Sequence, residues 1–206
     1  MRSDATRRPS IMFAFAIFNY RLISDCKDTK KIEIIVFFSY LCSVMAMHIE
    51  DIKALAQNAH EAHNECEQLF NTMLYGEGKD AYYSAWALTH LPASDNIYIN
   101  MYRAKLTDFA ISTSDTSMRR LALVLLERLE WGIDDVRTDL LDFCLDHMML
   151  PTEPYGVKAL CIKLAYLQCR HYPELKAELR QALLLMEPSE LGAGVKHTRK
   201  KTLERL

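Results

Sequence analysis

His60, His63 and Glu67 stand at i, i+3 and i+7 with Cys66 beside them, so one helical face offers imidazole, carboxylate and thiol, the ligand types a divalent metal takes. The HExxH order is absent, and a structural zinc site needs four ligands that a single helix cannot close into a tetrahedron. The spacing therefore predicts an exposed polar face with Cys66 turned inward, and neither metal nor cofactor. Trp131 and Asp135 lie four apart at the turn into a helix, an aromatic and a carboxylate that could face one groove; packing of Trp131 on a neighbouring element is the simpler role. Arg119, Arg120 and Arg128, with Lys158 and Lys163 at related positions further on, could form a basic ridge. Ion pairs with Glu127, Glu130, Asp134 and Asp135 account for those cations equally well. A last cationic run, Lys196, His197, Arg199, Lys200 and Lys201, follows Gly192-Ala193-Gly194 and could dock on the body or reach for an acidic partner. There is no GxGxxG, no P-loop, no GxSxG elbow and no EF-hand loop, so no reaction centre is expected. Trp131, Asp135, Arg119, Arg120, Lys196, Arg199 and Lys200 remain as the partner-binding set.

The elements that must position these residues are helices. Six Gly and six Pro in 206 residues are about half the usual share, as expected for long helices joined by short turns. From Ile49 onward the apolar spacing is helical over about 49–59, 62–75, 79–91, 96–111, 116–130, 134–149, 154–171 and 174–187. Gly76, Gly78, Pro92, Gly132, Pro151, Pro173 and Pro188 fall at the junctions, with Asp115 and Thr152 as expected N-caps.

Charge is laid out unevenly behind a net of −2. Residues 47–195 carry 13 Lys/Arg against 22 Asp/Glu, and residues 196–206 carry five against one. An acidic body is a poor surface for duplex DNA, whose affinity comes mainly from phosphate neutralisation, so nucleic acid is not the expected partner. Six cysteines without a CxxC predict buried reduced thiols, which suits the cytoplasm. Residues 1–46 read apart from the rest, with apolar stretches Ile11 to Phe18 and Ile34 to Ala46, both too short to span a membrane. A signal peptide would have its apolar core unusually deep, and a chain start at Met47, which opens an amphipathic helix directly, is the expectation.

Internal similarity selects the architecture. Trp86-Ala87-Leu88, Leu121-Ala122-Leu123 and Ala159-Leu160-Cys161 superimpose, and Leu106, Phe109 and Ala110 match Leu140, Phe143 and Cys144, then Leu179, Ala182 and Leu183. Two registers repeating together describe helix pairs, each opened by an apolar helix that neighbours must sandwich. The period and small-residue-plus-Leu packing resemble HEAT repeats. The run from Glu153-Pro154-Tyr155-Gly156-Val157-Lys158 to Tyr166, followed by Tyr172-Pro173-Glu174-Leu175, resembles the C-terminal repeat of small bacterial HEAT-like proteins. The resemblance covers about residues 47–206 and implies a fold rather than a reaction. The Trp131–Asp135 spacing is also similar to the aromatic and Asp arrangement of HEAT-like DNA glycosylases of the AlkD type, which implies a cradle for a damaged nucleotide but also requires a basic groove.

The expected fold is all-α, a right-handed α-α superhelix of about four HEAT-like antiparallel helix pairs. It occupies residues 47–187, preceded by an extension, 1–46, and followed by a basic C-terminal segment, 188–206. The expected function is a non-enzymatic scaffold or adaptor binding another protein, with nucleic-acid binding or glycosylase-like repair as the alternative.

Overall fold

The computed structural model describes residues 49–206. The expectations for residues 1–46, and for Cys26 and Cys42, lie outside them. Ten α-helices follow in order: α1 (Ile49–Glu61), α2 (His63–Tyr75), α3 (Gly78–Thr89), α4 (Asn96–Met101), α5 (Arg103–Ser112), α6 (Thr116–Glu127), α7 (Thr138–Met149), α8 (Tyr155–Cys169), α9 (Pro173–Leu185) and α10 (Ala193–Leu203). Three single 3₁₀ turns, Ala93–Asp95, Ile133–Asp135 and Pro188–Glu190, sit in the connections. No helix among the described residues is long and apolar enough to cross a membrane.

Sequence dictates which helices lie inside. In α6 the residues Met118, Leu121, Ala122, Leu123, Leu125 and Leu126 are all buried, a band wider than one stripe, so this helix must be covered on more than one side. The same holds for α8, which buries Val157, Leu160, Cys161, Ile162, Leu164, Ala165 and Cys169. Each fully buried Leu or Ile contributes about 1.5–3 kcal/mol. Helices α2 and α9 bury only three and two residues respectively, and form an outer flank. The packing follows: α1, α3, α6, α8 and α10 contact one another in succession as an inner layer, while α2, α5 and α7 lie over α3, α6 and α8, and α9 over α8 and α10. This is an all-α stack of two layers, with the two repeat registers of the sequence distributed over them.

The phase of the pairing differs from the sequence expectation. Each apolar helix packs most extensively on the outer helix before it, α2 with α3, α5 with α6 and α7 with α8. Connection length explains the difference, because residues 113–115 join α5 to α6, whereas 90–95 and 128–137 separate α3 from α4 and α6 from α7. The expected helix over 96–111 breaks at Tyr102, whose backbone adopts φ −98°, ψ 5° while its ring stacks on Phe70 at 4.0 Å. The expected helix over 134–149 begins only at Thr138, after the 3₁₀ turn. Asp115 caps α6 as expected, accepting from the Ser117 and Met118 amides at 2.8 and 3.1 Å. Thr152 caps nothing: Pro154 precedes the first turn of α8, and the turn before it closes from Glu153 N–H to Leu150 O. Residues 193–203 form a helix laid on α8 through Val195 and Thr202, closing the exposed end of the inner layer.

Cys66, Cys144, Cys161 and Cys169 are free thiols, all buried. Burial pushes Cys66 up to about 11, helped by Asp95, and burial with Glu178 pushes Cys169 up to about 12. Cys144 is raised by its hydrogen bond to Cys161 and by complete burial. The thiolate is the nucleophile and is disfavoured at Cys66, Cys144 and Cys169, and all four thiols are shielded by burial, so the four are expected to resist iodoacetamide at pH 8 in the native protein and to react once guanidinium unfolds it. Peptide mapping reads the outcome; rapid native alkylation at any of the four would contradict this core.

Candidate partner surface

The cations singled out in the sequence face two ways, and their hydrogen bonds decide which. Arg128 follows α6 and reaches back to the end of α3. Its guanidinium donates to the carbonyls of Leu88, Thr89, Leu91 and Pro92 at 3.4, 3.3, 2.8 and 3.1 Å and to Asn96 Oδ1 at 2.8 Å. The last carbonyls of a helix have no partner inside it and carry its negative dipole end, so one planar cation with five donors satisfies them together. Arg170, after α8, repeats the device one step along, donating to Trp131 O, and Tyr172 Oη donates to Ile133 O at 2.7 Å. Arg119 donates to Thr113 O and, at 3.4 Å, to Ala110 O at the end of α5, with Glu153 Oε1 3.6 Å away. Arg199 extends the pattern to the last helix, its Nε donating to Leu183 O at 2.6 Å.

Trp131 and Asp135 belong to the same joint. Trp131 is 1% exposed, and its indole N–H donates to Leu126 O at 3.1 Å. Arg103 covers the ring at 4.8 Å, donates to Glu130 O at 2.7 Å and meets Asp135 Oδ1 at 2.6 Å. Asp135 Oδ2 also accepts the Gly132 amide at 2.8 Å. Four members of the expected partner set, Trp131, Asp135, Arg119 and Arg199, are therefore turned inward to join helices. Arg119 and Arg199 meet carbonyls near the ends of α5 and α9, Trp131 lies under Arg103, and Asp135 pairs with the same Arg103. An indole sealed this way has no free face to offer a flipped nucleotide.

The Arg103 hydrogen bond, then the Gly132 amide, hold the Asp135 carboxyl below the usual carboxylate range. A carboxyl depressed in the folded state contributes stability that is full above its unfolded value, about 3.9, and is lost as pH falls through the lower folded value. The stability difference between the wild type and Asp135→Asn is therefore expected to be constant from pH 5 to 7 and to shrink below about pH 4. Solvent screening of this half-exposed group keeps the difference small. Denaturant titrations across that range check it, and a gap that widens with acid would contradict the pairing.

The remaining constellations disperse. His60 Nδ1 lies 2.9 Å from the buried Asp95, His63 packs on the Tyr98 ring at 4.5 Å, and Cys66 enters the core, so these do not converge with Glu67 on one point. Among the described residues no three His, Cys, Asp or Glu groups gather where a metal could sit. Lys163 pairs with Glu127 at 3.0 Å, and Lys158 is buried, so no ridge runs from Arg119 to Lys163. Arg103 and Arg170, which close two of the joints, carry no signal in spacing or composition that sets them apart from surface arginines.

Three members of the expected set are left. Arg120, Lys196 and Lys200 are exposed, and among the described residues none of their side chains has a hydrogen-bond or ion-pair partner. Lys196 and Lys200 stand at i and i+4 on the outer face of α10, with His197 and Lys201 one position further on. Arg120 runs past Gly156, its Cδ 3.5 Å from where a Cβ on that residue would stand. A family model described as the HEAT repeat domain matches residues 44–206, through the last helix. No curated protein and no solved structure matches the chain.

Proposed function

The chain belongs to the HEAT repeat domain family, and from that premise we propose that this helical repeat scaffold binds an acidic segment of another protein through Arg120, Lys196 and Lys200, without catalysis. The observation that carries the reading is the division of the cations. Arg103, Arg119, Arg128, Arg170 and Arg199 are used inside the stack, whereas these three are exposed and uncommitted. Exposed lysines kept apart from a protein's own carboxylates steer and orient an oppositely charged partner more than they add stability. The exposed Leu184 and Leu185, at the end of α9, supply apolar area on the helix that packs against α10. The four buried free thiols support a place in the cytoplasm.

Duplex DNA separates this reading from nucleic-acid binding. Titration of the full chain with a mixed-sequence duplex between 50 and 200 mM salt is expected to show no specific association. A protein making six to ten phosphate contacts would instead bind tightly at low salt and lose about 10³–10⁵ in affinity over that range. Such a slope would overturn the protein-partner reading.

A further inference from the structure

At the far end of the stack, where the turn from α7 into α8 meets the connection from α9 to α10, lies a cavity of about 210 Å³. Lys158, on the first turns of α8, lines it and is only 6% exposed. A lysine that deeply buried is ordinarily paired, because withdrawing an ammonium from water costs several kcal/mol. Among the described residues the Lys158 side chain has neither a hydrogen bond nor an ion pair; its backbone N–H donates to Pro154 O. Its ammonium is also absent from the sealed polar atoms that lack a hydrogen bond, which belong to Arg103, Thr107, Glu153 and Gln168, so it keeps accessible surface on a side chain that lines the cavity. An anionic group there would complete it.

The other walls restrict what carries that anion. Met148, Met186 and Leu191 are apolar, and Glu187 and Glu190 bring two carboxylates that would repel a simple fatty or aromatic acid. Glu187 is committed locally, accepting from the Ser189 hydroxyl at 3.1 Å and more weakly from its amide. Glu190 has no side-chain partner among the described residues. Neither glutamate pairs with Lys158, so the opposite charges stand apart with a gap between them. The volume equals the share of about seven waters, below the usual range of nucleotide or drug-sized sites. It suits one side chain with its backbone atoms.

We propose that this cavity binds a free apolar α-amino acid of leucine or methionine size. Its carboxylate meets Lys158, its ammonium meets Glu190, and its side chain lies among Met148, Met186 and Leu191. A zwitterion is the ligand whose two charges answer both kinds of charge on the wall while its apolar part fills the remainder. A residue inside a peptide has neither group free and does not fit this pattern. The site stands independently of the basic face on α10.

Calorimetric titration of the full-length protein tests the assignment with L-leucine and L-methionine, against leucinamide, 4-methylpentanoate and glycine. Saturable binding of leucine or methionine is expected, with leucinamide and 4-methylpentanoate each at least tenfold weaker and glycine undetected. Lys158→Met, which keeps the aliphatic packing, is expected to weaken leucine at least tenfold, and Glu190→Gln to weaken it about threefold. The analogue series on the wild type decides the matter even where Lys158→Met fails to fold. Absence of saturable binding by both amino acids at about 10 mM, or equal binding of leucine and 4-methylpentanoate, would overturn the proposal.

Discussion

Trp131→Ala is expected to lower the stability of the folded body by about 4 kcal/mol, and its midpoint temperature by about 12 °C. The indole is 1% exposed and lies between the end of α6, which receives its N–H, and Arg103, which covers its ring. Truncation leaves a cavity that a stack held by neighbouring helices cannot fully close, and it removes the surface on which Arg103 is flattened. Trp131→Phe keeps most of the apolar volume and loses the indole hydrogen bond, for an expected cost of about 1–2 kcal/mol. Thermal and denaturant melts of the two variants separate the terms. If Trp131→Ala melted with the wild type, Trp131 would be a surface residue and the joint between α6 and the next repeat would be misdescribed.

Arg128→Ala ranks second, with an expected loss of about 3 kcal/mol. Its guanidinium serves four carbonyls and one side-chain amide oxygen around the end of α3, three of them at 3.1 Å or less. Burial lowers the Arg128 pKa, with Asp95 opposing, which is the expected sign for a cation held mainly by neutral carbonyl groups. Removing it takes the side-chain donor from Thr89 O and Leu91 O, while Leu88 O and Pro92 O keep the Leu91 and Asp95 amides, and Asn96, whose amide donates to Arg128 O at 3.1 Å, loses the partner for its own oxygen. Arg128→Lys keeps the charge but offers a compact head in place of a fork, and is expected to recover only about a third of the loss. Full recovery by lysine would mean that charge, rather than the shared geometry of five acceptors, holds the two repeats.

The sequence made the helices and their two registers legible because the signal is local. Leu121, Ala122 and Leu123 recur as Ala159, Leu160 and Cys161 whatever the rest of the chain does, and Asp115 announces its cap within three residues. The pairing phase was less legible, since it depends on connection lengths that a break at Tyr102 and a 3₁₀ turn before Thr138 alter. Charge roles were the least legible. Arg119 and Arg120 are adjacent in sequence, yet one serves Thr113 O and the other faces solvent, because a helix turns about 100° per residue. Packing on a neighbouring element is the simpler reading of Trp131 and the structure agrees, but which residue covers it was not legible, because Arg103 lies 28 positions earlier. The cavity beside Lys158 was invisible for the same reason. Its walls come from the ends of α7 and α9, the start of α8 and the connection into α10, and no spacing joins them.

The proposed partner face is built of cations the stack leaves uncommitted, while the committed ones hold it together. Capture from native cell extract with the full-length protein and with Arg120→Glu/Lys196→Glu/Lys200→Glu, matched for melting temperature, tests it most directly. The wild type is expected to retain an acidic protein in a salt-sensitive manner, and the triple variant to melt with the wild type and lose that protein. Equal retention by both, or a triple variant that unfolds, would contradict it.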